Sequence, residues 1–357
     1  MNTYTKFIVL TFLKSLFFVF LIFLSLIILL NILTELEFFQ EKSVSTFFPI
    51  YISLLNAPTL VFEMFPFVFL ISTQVFFINL FNNNQIQIFK YSGLKNSTLI
   101  KIISVAAFLI GIFLVAIFYN FSSNLQNIYL ELKNKYSSDD KYLAVVTKNG
   151  LWIRDKIDER ILFINSTKID GNYLIDTFIT EFDNEFEVKK NIKSDKVNIK
   201  NNVWLAYDAK VFQNGTSNTF EVYKINSNFN YKKIQSLFSN LSSLSLIELF
   251  DLKKNYMTLN YSTTEVDLQL QKLISYPIYL TLMTILSSII MFGTKNLTSS
   301  TFKISFGLFA SVIIYYMNNF FNVLGKTEKL SIYLSIWIPI LLLFIICLSL
   351  SFKVNEK

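Results

Sequence analysis

Ser15–Leu33, SLFFVFLIFLSLIILLNIL, runs nineteen residues without a single charge. A helix rises about 1.5 Å per residue, so about 20 apolar residues cross the ~30 Å hydrocarbon core of a bilayer. The run is too long for a signal-peptide core and no small-residue cleavage site follows it, so it is expected to stay in the mature chain. Five further stretches pass the same test: Met64–Phe81, entered through Pro58 and containing Pro66, then Ile102–Tyr119, Ile274–Phe292, Ile304–Leu324 and Tyr333–Phe352. The expected fold is an α-helical polytopic membrane protein with six transmembrane helices.

The composition agrees. Of 357 residues, 53% are hydrophobic and 16% charged, and the mean hydropathy of +0.46 is too apolar for a soluble chain of this length. The formal charge of +7 comes from scattered lysines outside the apolar runs, which points to membrane orientation and not to nucleic acid. There is no histidine, which removes His-dependent triads, imidazole metal sites and a histidine pH switch. Cys347 is the one cysteine, so no intrachain disulfide exists, and in its apolar run it reads as a small buried hydrophobe. No phosphate-cradling G-x-x-x-x-G-K-[ST] loop, G-x-S-x-G elbow or metal-ligand cluster is present. No catalytic residue, metal or cofactor of the chain's own is expected, and an enzyme is not.

Direction follows from the lysines of the short loops. Lys6, Lys14, Lys90, Lys95, Lys101, Lys295, Lys303, Lys353 and Lys357 fall on one side. The other side holds only Lys42, Lys326 and Lys329, beside Glu35, Glu37, Glu41 and Glu328. Both termini are therefore expected in the cytoplasm, with the long segment between the third and fourth helices facing out. The chain divides into residues 1–120 with a cytoplasmic loop at 82–101, an outward domain at 121–270, and residues 271–357.

Within the outward segment the pattern shifts to short β-branched and aromatic runs: residues 142–147, 151–154, 161–164, 173–175, 186–188, 196–199, 203–207 and 219–222. Turn pairs Asn149-Gly150, Asp170-Gly171 and Asn214-Gly215 punctuate them. This spacing predicts an inserted all-β domain of about 90 residues, a β-sandwich or jelly roll, large enough to bury a core. Segments 121–136 and 244–270 flank it as helical connections. A spacer, a receptor ectodomain and an open-ended sheet that receives or passes on a ligand all fit the residues alone.

Several features in order resemble the lipopolysaccharide-export permeases LptF and LptG. They are Tyr4-Thr5-Lys6-Phe7 before the first helix, Ala57-Pro58 and Phe65-Pro66 at the second, and Tyr91-Ser92-Gly93 between the second and third. Residues 244–249 resemble the helix after the β-domain, and Lys272 with Pro277 the fourth helix. Ser305-Phe306-Gly307, Leu324-Gly325 and Trp337-Ile338-Pro339 complete the series. Asn149-Gly150-Leu151-Trp152-Ile153-Arg154 looks more like LptG than LptF. The resemblance implies a non-catalytic inner-membrane half-transporter of an ABC system with a periplasmic jelly roll. An LptF-like permease would pair with it, and an LptB-like ATPase dimer would hydrolyse ATP. LptC- and LptA-like periplasmic proteins would take lipopolysaccharide toward the outer membrane, from a cavity bathed in membrane lipid.

Three groups of residues could carry such a mechanism. In the loop 82–101, Asn82–Asn84 can cap a short helix, Ile86 and Phe89 share a face, Gly93 suits the C′ position, and Ser97 and Thr98 can cap the next helix. The resemblance makes Gln85, Ile86, Phe89, Tyr91, Ser92 and Gly93 the ATPase-coupling element; an interfacial helix on lipid headgroups is the other reading. Gln85 stands where the family usually has an acid. Tyr315, Asn318 and Asn322 share one face of the fifth helix and, with Asn31, could line a substrate cavity or gate; interhelical hydrogen bonds explain them as well. Lys42, Lys326 and Lys329 could meet lipid phosphates or be solvated loop lysines. The competing class is a membrane-anchored envelope-binding or structural protein.

Overall fold

The computed structural model describes residues 3–40, 42–45, 47–136, 151–157, 160–183, 185–213, 215–231, 234, 240–258, 262–293 and 299–355. They divide into two units, one helical and one built on a sheet. The strand expected at 142–147, the Asn149-Gly150 turn, Asn214, Lys295 and Lys357 lie outside the described residues, and so does the side chain of Lys353.

All six apolar runs are helices long enough to cross a membrane. The first is α1 (Thr3–Phe39) and the second α2 (Phe48–Asn82), followed by the short α3 (Gln85–Tyr91). The third is continuous from α4 (Asn96–Phe113) through one π turn, Leu114–Phe118, into α5 (Tyr119–Asn134). After α6 (Leu246–Thr258) come α7 (Thr264–Gly293), α8 (Ser300–Lys326) and α9 (Ile332–Asn355). Each outruns its apolar core because nothing in the flanking polar residues breaks a helix. α7, for instance, begins ten residues before Ile274, and its extension buries Val266, Leu268 and Leu270.

Burial sets the order of the bundle. In α2 and α7, 67% of the most apolar window is buried, against 17% in α1 and α8, so α2 and α7 form the core and the others turn a face outward. Close approaches fix the contacts. A Cβ on Gly111 of α4 would lie 2.8 Å from Pro277 Cα of α7, and one on Gly307 of α8 would overlap the Gln74 amide of α2. Gln74 Nε2 donates instead to the Lys303 carbonyl at 2.8 Å, and Ser287 Oγ to the Leu70 carbonyl at 2.7 Å. Such interhelical hydrogen bonds keep polar groups away from lipid.

Two expected caps are not made. Asn84 takes a left-handed conformation, φ 55°, without a side-chain cap bond, so it serves the turn between α2 and α3. α4 starts at Asn96 after an extended Lys95, which places Ser97 and Thr98 inside its first turn. Gly93 does act as expected: at φ 77° it closes α3, with Leu94 N–H on the Phe89 carbonyl and Gly93 N–H on the Lys90 carbonyl.

The second unit carries β1 (Leu151–Ile157), β2 (Arg160–Asp170), β3 (Tyr173–Phe182), β4 (Val188–Asn198), β5 (Val203–Gln213) and β6 (Thr216–Asn226). They form one antiparallel sheet in chain order, which bears out an all-β insert. Gly171, φ 53°, makes the β2–β3 turn. A buried row, Ile153, Ile164, Ile179, Ile192 and Val211, crosses five strands. Beside it runs a row of small polar residues, Ser166, Thr177 and Ser194, also buried. The Ser166 hydroxyl meets the Ile175 carbonyl and the Ser194 hydroxyl the Tyr207 carbonyl, each at 2.7 Å. The residues next along, Asp176 and Asp208, take positive φ and leave the ladder open at one position without shifting its register; the register shifts between Glu181 and Phe182, where β3 meets β4. The sheet's two ends meet: buried Asp155 of β1 accepts from Ser227 Oγ at 2.8 Å and Asn228 N–H at 2.9 Å, just past β6.

Candidate functional site

Three of the long helices carry an internal proline at a similar level: Pro66 in α2, Pro277 in α7 and Pro339 in α9. A proline has no N–H, so the carbonyl four residues earlier loses its helical donor. Those carbonyls belong to Phe62, Leu273 and Ser335, and all three residues line one cavity of about 360 Å³. The Phe62 carbonyl accepts from the Tyr276 hydroxyl. The π turn leads into Tyr119 and Ser122, which line the cavity. Irregular backbone at membrane depth is tolerated where it is buried in protein or lines a cavity, and these carbonyls belong to residues that line one.

Its walls carry one acid and one base. Glu63 projects from α2 and Lys272 from α7, and the two attract each other. Among the described residues neither closes to ion-pair distance with the other. Tyr279, Tyr315, Asn318, Asn319 and Asn322 complete the polar lining. Asn322 Oδ1 is buried without a hydrogen-bond partner among the described residues. Tyr315, 45% exposed, is tilted against Phe67, 5.8 Å between ring centres, so the cavity reaches the surface between α2 and α8.

Tyr315, Asn318 and Asn322 thus meet in one place, as their shared face predicts. Asn31 lies elsewhere: its Nδ2 donates to the Ser53 carbonyl at 3.1 Å and its Oδ1 accepts from Asn56 Nδ2 at 3.1 Å, tying α1 to α2. Lys42 lies 3.3 Å above the Phe38 ring centre, and Lys329 follows the end of α8; Lys326 is 4.0 Å from Glu265 and near enough to act on Lys272, though none of the three lysines lines the cavity itself. Glu63 escaped notice at the edge of its apolar run; the signal available was an ionisable residue inside a membrane helix.

On α3, Ile86 is buried and Phe89 packs edge-on against Phe7, 6.2 Å between ring centres. The apolar side chains that face out are Ile88 and Tyr91, 58% and 89% exposed. Of the apolar face expected from Ile86, Phe89 and Tyr91, the structure covers Ile86, packs Phe89 on α1 and leaves Tyr91 open, with Ile88 beside it. Gln85 is partly exposed, and Ser92 and Gly93 are exposed.

The insert has an opening of its own. Ile157, Leu162, Ile192 and Ile225 floor a cavity of about 240 Å³ rimmed by Arg160, Glu181, Lys190 and Tyr223. Lys190 Nζ lies 3.0 Å from Glu181 Oε2 and 3.1 Å from the Tyr223 hydroxyl. Burial disfavours the Lys190 charge, but the hydrogen bonds to Tyr223 and Glu181 and the Glu181 carboxylate outweigh it, raising the pKa above the ordinary lysine value. A raised folded-state pKa adds stability that is complete below the unfolded lysine value and disappears as pH rises through the folded one. Alkaline titration should therefore loosen the insert above about pH 10. Lys190→Met should flatten that slope when protease resistance of the full chain is followed against pH.

The family model for lipopolysaccharide export system permease LptF/LptG matches residues 6–353. A comparison with curated proteins finds no match.

Proposed function

From the premise that this chain belongs to the LptF/LptG lipopolysaccharide export permease family, we propose that it is the LptG-like half of an ABC transporter. It is a multi-pass inner-membrane protein of a permease family, not a catalytic one. In the proposed complex an LptF-like chain pairs with it, and an LptB-like ATPase dimer binds and hydrolyses the ATP while this chain holds no cofactor. LptC- and LptA-like proteins accept the lipopolysaccharide on the periplasmic side. Both termini and α3 lie in the cytoplasm, and the insert works as a jelly-roll-like periplasmic conduit. Asp155 tied to Ser227 supports that curled form, and the opening floored by Ile157 and Ile225 supports passage of an acyl chain.

The observation that carries this proposal is the family match over nearly the whole chain. α3 offers Ile88 and Tyr91 as the helix-in-groove face for the ATPase, with Gln85 hydrogen-bonding where an acid would form an ion pair. Tyr315, Asn318 and Asn322 serve the cargo path, Asn31 ties α1 to α2, and Lys42, Lys326 and Lys329 serve the phosphates at the outer surface.

Detergent extraction under conditions that preserve known transporters should bring down a separately encoded nucleotide-binding subunit; a complex without one overturns the assignment. Direction is tested with single cysteines, Lys90→Cys and Trp152→Cys, in a Cys347→Ser background. An impermeant maleimide should reach Trp152→Cys from the periplasm and Lys90→Cys only after the membrane is opened. Labelling of both from one side removes the transport scheme. A membrane-anchored binding protein predicts instead that the insert on one unrelated helix restores function.

A further inference from the structure

The cavity among α2, α7, α8 and α9 lies at a definite depth. Counted from Asn82, Gly293, Ser300 and Asn355, residues Glu63, Lys272, Asn318 and Ser335 lie roughly 27–32 Å along their helices at about 1.5 Å per residue. Phe81 and Phe292 pack together, 6.0 Å between ring centres, which aligns those helix ends at one level. A hydrocarbon core is about 30 Å thick, so the charged lining sits at the headgroup layer opposite the α2–α4 loop. The opening beside Tyr315 faces sideways, where a lipid would enter.

The lining also sets the charge of what fits. Glu63 and Lys272 together are neutral and do not close to ion-pair distance, and Lys326, which also acts on Lys272, is balanced by Glu265 at 4.0 Å. A lone phosphate would meet Lys272 but be repelled by Glu63, and a lone ammonium would meet Glu63 but be repelled by Lys272. A group with both charges satisfies each wall and leaves no buried charge unpaired. Acceptors for an ammonium are at hand in Glu63, the orphan Asn322 Oδ1 and the proline-freed carbonyls of Leu273 and Ser335. Donors for a phosphate are Lys272, the Tyr279 hydroxyl and the Asn318 and Asn319 amides. A volume of about 360 Å³ falls at the small end of the usual range for ligand sites, as a headgroup requires.

We propose that this cavity binds a phosphoethanolamine headgroup, its ammonium held by Glu63 and its phosphate by Lys272. The inference deepens the permease reading and rests on its placement of the cavity in the outer leaflet. The shared chemistry has two sources, a phosphatidylethanolamine of the bilayer or a phosphoethanolamine carried on the glycolipid cargo.

The test uses the assembled complex in nanodiscs with a photocrosslinking residue at Asn319. Discs of phosphatidylethanolamine are compared with discs of phosphatidylglycerol, and each is repeated with lipid A with and without phosphoethanolamine. Labelling should favour an ethanolamine-bearing lipid by roughly tenfold, the scale of one charge-assisted contact. Preference for the bilayer lipid, or for the decorated lipid A alone, names the source. Equal labelling in all discs overturns the site. Glu63→Gln should abolish the preference, whereas the exchange Glu63→Lys with Lys272→Glu should retain part of it; a preference that survives Glu63→Gln also overturns the site. Loss of preference with lipopolysaccharide transport intact overturns the headgroup site and leaves the permease assignment standing.

Discussion

Ile88→Asp is expected to strip the ATPase from the purified permease and to weaken its capture on the order of a thousandfold, ~4 kcal/mol. Two effects add. Ile88 is 58% exposed on the open face of α3, and seating it in a groove contributes about 1.5–3 kcal/mol that aspartate cannot supply. The introduced carboxylate would also have to leave water without a partner, which costs several kcal/mol more unless the groove stays open to solvent. α3 itself should survive, because it is anchored through buried Ile86, the Phe7–Phe89 contact and the Gly93 closure, none of which involves Ile88. Lys90→Gln, an exposed change on the same helix, should alter capture by less than about 1 kcal/mol. ATPase retained at wild-type level on the Ile88→Asp chain would remove α3 as the docking element.

That prediction turns on a face the sequence could not choose. Ile86 with Phe89, and Ile88 with Tyr91, are both apolar pairs at i, i+3; which pair is covered depends on Phe7 and α2, which are distant in the chain. The membrane helices were legible because their signal is local: an uncharged run of bilayer length needs no partner to be recognised. The strands were legible in kind but not in length. Residues 161–164 and 173–175 read as fragments of β2 and β3 because the unpaired, positive-φ Asp176 and the buried hydroxyls of Ser166 and Thr177 break the alternation that marks a strand. In the cavity, Tyr315, Asn318 and Asn322 could be found as one helical face. Glu63 and Lys272 could not be paired, since each stands alone near the end of its own apolar run and only the packing of α2 on α7 sets them opposite one another. The converging prolines are equally silent one at a time: Pro66, Pro277 and Pro339 acquire a common meaning once Phe62, Leu273 and Ser335 share a wall.

The largest loss of stability is expected from Trp204→Ala in the insert. Trp204 is fully buried at the start of β5, opposite Ile225 of β6, and its indole Nε1–H donates to the Phe229 carbonyl at 2.8 Å. Truncating a large buried aromatic costs about 3–5 kcal/mol through lost transfer energy and the cavity left behind. The Phe229 carbonyl is then left without its donor beside that cavity, which adds to the cost. A domain with 5–15 kcal/mol in hand would surrender a large fraction of it. The segment held by this bond leads to Tyr231, whose N–H in turn bonds the Ile199 carbonyl, so loosening should spread from β5 toward the chain leaving β6. Limited proteolysis of the full-length chain in nanodiscs reads this directly: cleavage within residues 199–231 should rise steeply, while the membrane helices, whose packing does not involve Trp204, stay protected. Trp204→Phe keeps most of the ring and loses only the donor, so it should fall between, costing about 1–3 kcal/mol. If Trp204→Ala resisted protease as well as the parent chain, the bond to Phe229 and the packing on Ile225 could not be what holds the end of the sheet closed.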